Sequence, residues 1–375
     1  MNGRMAAALL LALLMTTGLA GAAQAAGDGP AGALERQTIE ITDGVGRVVR
    51  VPRNPDRVAA IFAPSAHIIA MLGDSGKIVA VSAGNMRDRL FLDFYPAVAK
   101  ARTPTGGGGG GGLNAEELFS DPAPDVIFCN SGQIYDERIM EKIEKFGIPV
   151  VAVEFRTVEE LKTTVRMVGD ILGREEKARI YCTYIDETEQ RIRGRLQGLQ
   201  PHERRRVYHA VNELLRTAAI NSVPGDWITR LGIDLVGAVE VREVNDSKNY
   251  ISLETLFSYD PPYMLVTGAD VYDHIRADEK LHVLTACKNG AVYLLPNGIS
   301  RWAHQYSIEV APAMLWVFKM IYPELFADID LEAETRNFYR EVFEVDLDEA
   351  TVERILSGRD LRLLKSGADV ERRGR

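Results

Sequence analysis

The same short phrase occurs twice in the sequence, at Glu116–Ser120 (EELFS) and at Glu254–Ser258 (ETLFS). In both places a proline and an apolar run follow, the runs being Asp125–Phe128 and Tyr263–Val266. Each copy is typical of a short helix, a proline-containing turn and a buried strand. A repeat that spans positions 116 to 254 is far longer than the roughly 20–50 residues of a solenoid unit. It therefore predicts two similar α/β lobes, each with one glutamate at an equivalent point.

The first 25 residues have the features of an export signal. Arg4 supplies a positive charge, Met5–Thr17 is apolar, and Ala23-Gln24-Ala25 fits a small-x-small cleavage site. The apolar run is shorter than the ~20 residues of a membrane span. Because no cysteine follows the apolar run closely, we expect no lipid anchor. These features predict cleavage near Ala25 and a periplasmic protein.

The chain is acidic and has few cysteines. Its 53 acidic and 44 basic residues give a formal net charge of −9 at pH 7, which is unfavourable for binding nucleic acid or an anionic membrane. Its 375 residues exceed what one core usually covers, so two domains are expected. Cys129, Cys182 and Cys287 do not have the pattern of a disulfide framework. The sequence leaves open whether any two of them pair.

Apolar runs alternate with helical patterns on both sides of a long helical region. Residues 37–53 alternate apolar and polar side chains around the turn signal Asp43-Gly44, which predicts an opening hairpin. A helical pattern from Glu175 to Leu199 predicts a helix roughly 38 Å long that joins the two lobes. Short apolar strands separated by helices are typical of doubly wound parallel sheets. The predicted strands are Arg57–Phe62, Ile78–Ser82, Asp125–Cys129, Pro149–Phe155, Arg206–Val211, Tyr263–Thr267 and Ala291–Leu295.

The predicted fold class is α/β, with two doubly wound lobes joined by a single long helix. The glycine run 106–112 is either a mobile loop or a loop whose bare backbone approaches a ligand, and the sequence leaves both readings open. The expected segments are a signal peptide at 1–25, an N-terminal lobe at 37–156, linking helices at 157–200, a C-terminal lobe with terminal helices at 201–356 and a disordered tail at 357–375.

Four segments, taken in order, resemble a known family. They are Ala63-Pro64-Ser65 after the first predicted strand, the helix Ile68–Gly73, the segment Leu113–Phe128, and the C-terminal series Trp302, Pro312, Trp316 and Tyr322-Pro323. Over roughly residues 37–356 the chain resembles the periplasmic solute-binding proteins of ABC importers for iron chelates and corrinoids. The resemblance implies a monomeric, non-enzymatic binding component without a cofactor of its own. It would capture a metal chelate between its lobes, most expectedly a ferric siderophore, with haem or a corrinoid as alternatives, and deliver it to a permease dimer in the inner membrane.

The resemblance also implies a role for two glutamates. In that family a glutamate on top of each lobe meets arginines of the two permease subunits, and the matching residues here are Glu116 and Glu254. Glu117 is an alternative to Glu116, because only the first lobe has two acidic residues in a row. Such paired charges set register and steer association more than they add affinity. The competing interpretation is that both are solvated carboxylates favoured by a helix dipole.

Ligands of open α/β sheets bind outside the carboxyl ends of the strands. The residues just past the predicted strands mix aromatic rings, amides and guanidinium groups, which suits a large chelate with flat faces and anionic oxygens. The predicted ligand-binding residues are Ser65, His67, Arg87, Tyr135, Arg156, Asn212, Arg301 and Trp302. A wider set at the same strand ends comprises Asn85, Asn130, Gln133, Phe155, Arg216, Asp270, Tyr272, Ser300 and His304.

Two other classes of protein stay open. A ring of histidines and carboxylates in the cleft would favour a binder of a free divalent metal or an oxyanion, whereas aromatic rings with arginines favour a chelate. The six histidines are spread widely along the chain, so a bare metal is less expected than a chelated one. An enzyme with a chelatase-like fold is the least expected class, because the sequence has no nucleophile elbow and no Cys or His cluster for a metal.

Overall fold

The computed structural model describes residues 37–104, 113–238, 240 and 249–359. From Gln37 onward the chain forms one compact unit. The expected export signal, the glycine run 106–112 and the tail from position 360 lie outside the described residues. Within the described ranges, no helix combines the length and the apolar character that crossing a membrane requires.

An antiparallel hairpin precedes the first parallel sheet, as the sequence predicts. Strands β1 (Thr38–Thr42) and β2 (Val48–Pro52) pair in register over their full length. In the turn, Oδ1 of Asp43 accepts hydrogen bonds from the backbone N–H groups of Val45 at 3.1 Å and Arg47 at 2.9 Å. An aspartate that bonds the backbone just after itself is a common way to reverse the chain, which explains why the hairpin turns here.

Four short parallel strands form the sheet of the N-terminal lobe. They are β3 (Val58–Ala60), β4 (Ile78–Val81), β5 (Val126–Cys129) and β6 (Val150–Ala152). Their order across the sheet is β4–β3–β5–β6, and their continuous apolar sequences match a sheet that is covered on both faces. The helices of this lobe are α1 (Ala63–Met71), α2 (Arg89–Phe94), α3 (Ala115–Leu118), α4 (Ser131–Ile134) and α5 (Glu137–Glu144).

Two helices, α6 (Val158–Leu172) and α7 (Glu175–Arg195), connect the lobes. The first begins at a capping box around Thr157, a strong local start signal. At 1.5 Å per residue the second is about 32 Å long and ends before the predicted Leu199. The early end has a local cause, since Gly198 adopts a left-handed φ of 95° that a helix cannot contain.

The sheet of the C-terminal lobe is larger and mixed. Its strands are β7 (Arg206–Val211), β8 (Arg216–Thr217), β9 (Asp234–Leu235), β10 (Asn249–Tyr250), β11 (Tyr263–Thr267) and β12 (Val292–Leu294). Their order is β10–β8–β7–β11–β12, and β9 pairs with β7. The strands β7, β11 and β12 run parallel to one another, as predicted. The antiparallel edge of β8 and β10 is not predicted, because strands of two residues show no periodicity.

Helices cover this second sheet and complete the chain. The sequence after Trp302 predicts a helix, but the stretch from the end of β12 to Glu309 is irregular. A five-residue π-helical turn, Tyr339–Phe343, lies between the last two helices. The helices are α8 (Val223–Arg230), α9 (Leu253–Tyr259), α10 (Ala269–Ala277), α11 (Thr285–Lys288), α12 (Val310–Ile321), α13 (Leu331–Phe338) and α14 (Glu349–Ser357).

One hydrophobic cluster runs continuously through both lobes. It contains Phe128 of the first sheet, Ile185 of α7, Val207 of the second sheet and Trp316 of α12. A large rotation of one lobe would expose this shared core at about 25 cal/mol per Å² of apolar surface. The predicted fold class, two doubly wound α/β lobes joined by a long helix, is confirmed.

The three cysteines are free thiols. Cys129 and Cys182 are buried, and Cys287 is partly buried. Burial raises the pKa of the Cys129 thiol to about 12, so this side chain stays protonated and unreactive at neutral pH.

Candidate functional site

Two elements from opposite lobes line a partly open pocket of about 170 Å³, which we call the inner chamber. One wall is the start of α1, which follows β3. The other wall is the loop 297–307, which follows β12 and which we call the cleft loop. The lining residues are Phe62, Ala63, Pro64, His67, Asp88, Asn297, Ile299, Ser300, Arg301, His304, Tyr306 and Ser307.

His67 has a defined tautomer in the wall of the N-terminal lobe. Oδ1 of Asn85 accepts a hydrogen bond from Oγ of Ser82 at 2.9 Å, and its Nδ2 donates to the carbonyl of Ala63 at 3.1 Å. The second amide N–H of Asn85 is therefore available for Nε2 of His67, 3.2 Å away. Because Nε2 accepts, the proton of the neutral ring lies on Nδ1. That Nδ1 is buried and has no hydrogen-bond partner among the described residues.

Arg301 is held in the opposite wall by two side chains. Its Nη1 donates to Oδ1 of Asn212, and its Nη2 donates to Nε2 of His304 at 3.0 Å. A guanidinium group can only donate, so Nε2 of His304 accepts, and the proton of that neutral imidazole also lies on Nδ1. Asn212 directly follows β7 with a left-handed φ of 63°, which asparagine tolerates better than most residues. These contacts fix a permanent positive charge at the chamber wall.

The two histidines of the chamber offer no free lone pair to a bare cation. A neutral imidazole has one lone pair, and in both His67 and His304 that lone pair accepts a hydrogen bond from the protein. Among the described residues, no group of three or more His, Cys, Asp or Glu side chains could hold a metal ion. The guanidinium of Arg301 would also repel a cation at short range. The acidic side chain in the wall is Asp88, whose Oδ2 lies 3.5 Å from Nε2 of His67.

A buried carboxylate supports the cleft loop from below. Glu309, directly before α12, accepts hydrogen bonds from the backbone N–H of Ser300 at 2.5 Å, its Oγ at 2.9 Å, Nε1 of Trp302 at 3.0 Å and the hydroxyl of Tyr339 at 2.5 Å. Burial raises the pKa of Glu309, although the donors from Tyr339, Ser300 and Trp302 act to lower it. Since the carboxylate binds residues 300 and 302, it fixes the backbone that carries Arg301 between them.

Two predicted ligand contacts are corrected by this arrangement. The side chain of Trp302 is only 1% exposed, and its indole N–H donates to Glu309. Ser65 is fully buried, and its Oγ donates to the carbonyl of Phe62 at 2.5 Å. Both side chains therefore support the walls from inside the core and do not reach the chamber.

A second cavity of about 420 Å³, the outer chamber, lies on the N-terminal lobe. It brings together two predicted residues, Tyr135 at the end of α4 and Arg156 after β6. The ring of Tyr135 is 65% exposed. The full lining is Asp43, Gly44, Val45, Ser131, Tyr135, Glu154, Arg156, Glu160, Thr163 and Thr164.

Other predicted residues lie away from both chambers. Arg87 belongs to a 3₁₀ turn directly before Asp88 but does not itself line the inner chamber. In the wider set, Asp270 and Tyr272 are on α10, where the ring of Tyr272 contacts the guanidinium of Arg276. The prediction placed them in the cleft because they follow β11, but α10 starts immediately and carries them away along its axis.

Several residues of the site were not predicted from the sequence, among them Asp88, Tyr306 and Glu309. Asp88 and Tyr306 lie close to the predicted Arg87 and His304 along the chain, but the sequence did not single them out. Glu309 precedes the apolar helix α12, and an acidic residue before a helix is an ordinary start signal. Only the packed structure reveals that this carboxylate is buried beneath the cleft loop.

The two glutamates of the sequence repeat occupy equivalent positions on the two lobes. The side chain of Asn114 caps α3, and that of Ser252 caps α9. Counted from these caps, Glu116 and Glu254 are both the second residue of their helix, and both are exposed. Glu117 is the third residue of α3, so Glu116 is the structural match to Glu254.

A helix-linked, two-lobe fold with a chamber between the lobes is typical of solute-binding proteins. The model of the periplasmic binding protein family matches residues 58–298, and the chain belongs to this family. The chain is also 22% identical over 325 residues to the molybdate-binding protein MolA of Haemophilus influenzae, covering 81% of this chain and 90% of that protein.

Solved structures of the same fold include MolA of Haemophilus influenzae bound to molybdate, with a TM-score of 0.71 at 21% identity, covering 83% of this chain and 99% of that one. A periplasmic solute-binding protein of Veillonella parvula has a TM-score of 0.70 at 23% identity, with coverages of 85% and 97%. CeuE of Helicobacter pylori with Ni(II) bound has a TM-score of 0.67 at 19% identity, with coverages of 85% and 99%. At these identities the similarity shows the fold. Together with the family match, it identifies the substrate-binding component of an ABC importer, a class of non-enzymatic periplasmic proteins.

Proposed function

We propose that the protein delivers a small tetrahedral oxyanion of the molybdate class to its permease. The observation that carries this proposal is the bonding of His67 and His304, whose Nε2 atoms accept hydrogen bonds from Asn85 and Arg301. Neither neutral ring keeps a lone pair for a metal ion. The guanidinium of Arg301 is a charged donor for oxyanion oxygens, and Arg301 lines the inner chamber.

The size of the inner chamber favours the same class of cargo. Pockets for drug-sized ligands have volumes of roughly 300–1,000 Å³, and ferric siderophores, haem and corrinoids are at least that large. A chamber of about 170 Å³ is well below the volume of those ligands and is sufficient for an anion of five heavy atoms. The first turn of α1, which lines the chamber at Ala63 and Pro64, adds a helix dipole that favours negative charge.

One acidic side chain opposes this charge preference. Asp88 lines the chamber together with Arg301, so the two formal charges offset each other. Anion affinity then depends on directed hydrogen bonds rather than on net charge. The relative named as a molybdate-binding protein, which aligns with 81% of this chain, makes molybdate and tungstate the first oxyanions to test.

An anionic metal chelate is the second candidate cargo. The outer chamber of about 420 Å³, with the exposed ring of Tyr135 and the guanidinium of Arg156, is large enough for part of a ferric siderophore, haem or a corrinoid. Rings and guanidinium groups are suited to the faces and the anionic oxygens of such ligands. This candidate requires the ligand to occupy both chambers, or the lobes to separate.

Isothermal titration calorimetry of the mature protein distinguishes these candidates. The ligands are molybdate, tungstate, sulfate, a ferric tris-catecholate, haemin, cobalamin and Zn²⁺. We expect saturable binding of molybdate and tungstate and no response to Zn²⁺. If the protein binds one chelate but neither molybdate nor tungstate, the second candidate is supported instead. If it binds Zn²⁺ alone, both candidates are contradicted.

We further propose that Glu116 and Glu254 are the contacts to the permease. They are the only acidic pair that occupies the same position in both copies of the repeat, and both side chains are exposed. Two equivalent charges on a pseudo-symmetric protein match two equivalent subunits of a permease. Charges of this kind fix register and raise the rate of association.

The double variant Glu116→Ala/Glu254→Ala tests this docking role. Ligand-dependent uptake should be lost, because the register on the permease is lost, whereas the Kd for the ligand should not change. A matched control is Glu137→Ala/Glu349→Ala, since these residues are exposed glutamates in the first turns of α5 and α14. Normal uptake by the first double variant, or equal loss in the control, would contradict the proposal.

A further inference from the structure

Tyr306 of the cleft loop reaches across to the N-terminal lobe. Its ring lies between Phe62 and Phe155, with centroid distances of 5.0 Å and 5.7 Å and nearly perpendicular planes. Its hydroxyl donates to Oε1 of Glu154 at 3.2 Å. Edge-to-face contacts of this kind stabilise a ring pair beyond the effect of area burial. The ring is therefore held in one orientation.

Glu154 is fixed from its own lobe. Its Oε2 accepts hydrogen bonds from the backbone N–H of Ser131 at 3.3 Å and from Oγ of the same residue at 2.7 Å. One carboxylate oxygen thus binds the start of α4, and the other binds Tyr306. The position of the tyrosine hydroxyl is set by a group that does not belong to the cleft loop.

The Tyr306–Glu154 pair stands between the two chambers. Tyr306 lines the inner chamber of about 170 Å³, and Glu154 lines the outer chamber of about 420 Å³. Because Tyr306 and Glu154 are bonded to each other, we expect that removing the tyrosine ring connects the two spaces and makes room for a drug-sized ligand. The aromatic ring is thus the group that keeps the space around Arg301 small.

We propose that Tyr306 is a specificity-determining residue that excludes bulky chelates from the chamber around Arg301. This inference rests on the proposed function, because it takes the inner chamber as the binding site for the oxyanion. A site can discriminate between ligands by better contacts with the right one or by a steric clash with the wrong one, and exclusion by the ring is of the second kind. The hydroxyl serves to position the ring, and the ring itself separates the chambers.

Calorimetry with molybdate and with a ferric tris-catecholate tests the proposal on the wild type, Tyr306→Phe and Tyr306→Ala. Tyr306→Phe keeps the ring and should still exclude the chelate. Tyr306→Ala should bind the chelate and shift the ratio of the two Kd values by about tenfold or more. Tyr184→Ala is the matched control, because Tyr184 is also half-buried, packs edge-to-face on Phe338 and bonds a side chain through its hydroxyl. It should show a comparable loss of thermal stability without a change in selectivity.

The outcomes test the exclusion role of Tyr306 separately from the proposed oxyanion function. If the wild type binds molybdate and Tyr306→Ala still does not bind the chelate, the exclusion role of Tyr306 is refuted, while the oxyanion function stands. If the wild type binds neither ligand, the oxyanion function fails. In that case, gain of chelate binding by Tyr306→Ala supports the exclusion role of Tyr306, and no gain refutes it. Chelate binding by the wild type refutes both.

Discussion

A single methyl group at position 298 should lower both the stability of the protein and its affinity for ligand. A Cβ atom on Gly298 would lie 2.0 Å from Oε1 of Glu309 and 2.3 Å from the hydroxyl of Tyr339, where real Cβ contacts essentially never fall under 3.0 Å. Neither neighbour is the free end of a mobile side chain, because the two are bonded to each other at 2.5 Å in the core. In Gly298→Ala, either the carboxylate or the cleft loop must move by about 1 Å.

The magnitude follows from the contacts of the carboxylate. Overpacking of a filled core costs about 1–3 kcal/mol. A movement of about 1 Å also breaks at least one hydrogen bond to Glu309, and bonds to charged groups contribute about 1.5–3 kcal/mol. We expect the free energy of unfolding to fall by about 3–5 kcal/mol, a large part of the roughly 5–15 kcal/mol of a typical protein. Because Glu309 holds Ser300 and Trp302 on either side of Arg301, the affinity for ligand should fall as well.

Urea denaturation followed by circular dichroism measures the first effect, and calorimetry below the unfolding transition measures the second. Gly76→Ala is the matched control, since a Cβ atom there meets nothing within 4 Å. Both quantities should stay within about 0.5 kcal/mol of the wild type in the control. A wild-type free energy of unfolding in Gly298→Ala would refute the close packing of the cleft loop against Glu309.

Two further substitutions test the charge at the site and a buried histidine. Arg301→Ala should weaken oxyanion binding by about 10- to 150-fold in calorimetry, which is the equivalent of one charge-assisted hydrogen bond. The control Arg276→Ala on α10 should leave the affinity unchanged. Equal affinity in both variants would contradict the role assigned to Arg301. His209 is fully buried, and burial lowers its pKa from 6.5 to about 3. Below pH 6.5 its imidazole is therefore mostly protonated in the unfolded chain, whereas in the folded protein it stays neutral down to about pH 3. Stability is therefore lost as the pH falls, by about 2 kcal/mol between pH 7 and pH 5. His209→Leu should lack this part of the pH dependence in urea titrations, and an unchanged difference between the two pH values would show that other groups cause it.

The fold was largely predictable because its signals are local. Parallel strands covered on both faces appear as continuous apolar runs, and β5, β7 and β11 lie where such runs predict them. The repeated EELFS and ETLFS segments predict two lobes with equivalent helices, and α3 and α9 carry them. The opening hairpin follows from the aspartate that turns the chain. In each case the predictive pattern lies within a few consecutive residues, so it can be recognised before the long-range strand pairing is known.

Prediction was weaker for elements whose conformation depends on contacts with other parts of the structure. The strands β8 and β10 have two residues each, too few to show a period, and exist because they pair along the edge of the second sheet. The helix expected after Trp302 begins only at Val310. Between them the chain is irregular because Glu309 binds the backbone and side chains of the preceding loop instead of continuing a helix.

What the sequence by itself determined is the class of fold, whereas the ligand-binding role that it predicts for Arg301 and His67, which line the inner chamber, stays a prediction. Only the tertiary structure decided that Trp302 and Ser65 face the core, that Tyr306 bonds Glu154 of the other lobe, and that Arg301 fixes the tautomer of His304. Periodicity shows which face of an element is buried, but not what it is buried against. The contacts that define the site, such as Tyr306 with Glu154 and Arg301 with Asn212, join residues that are distant along the chain. Such contacts leave no local trace in the sequence, because they form only when both lobes have packed onto one core.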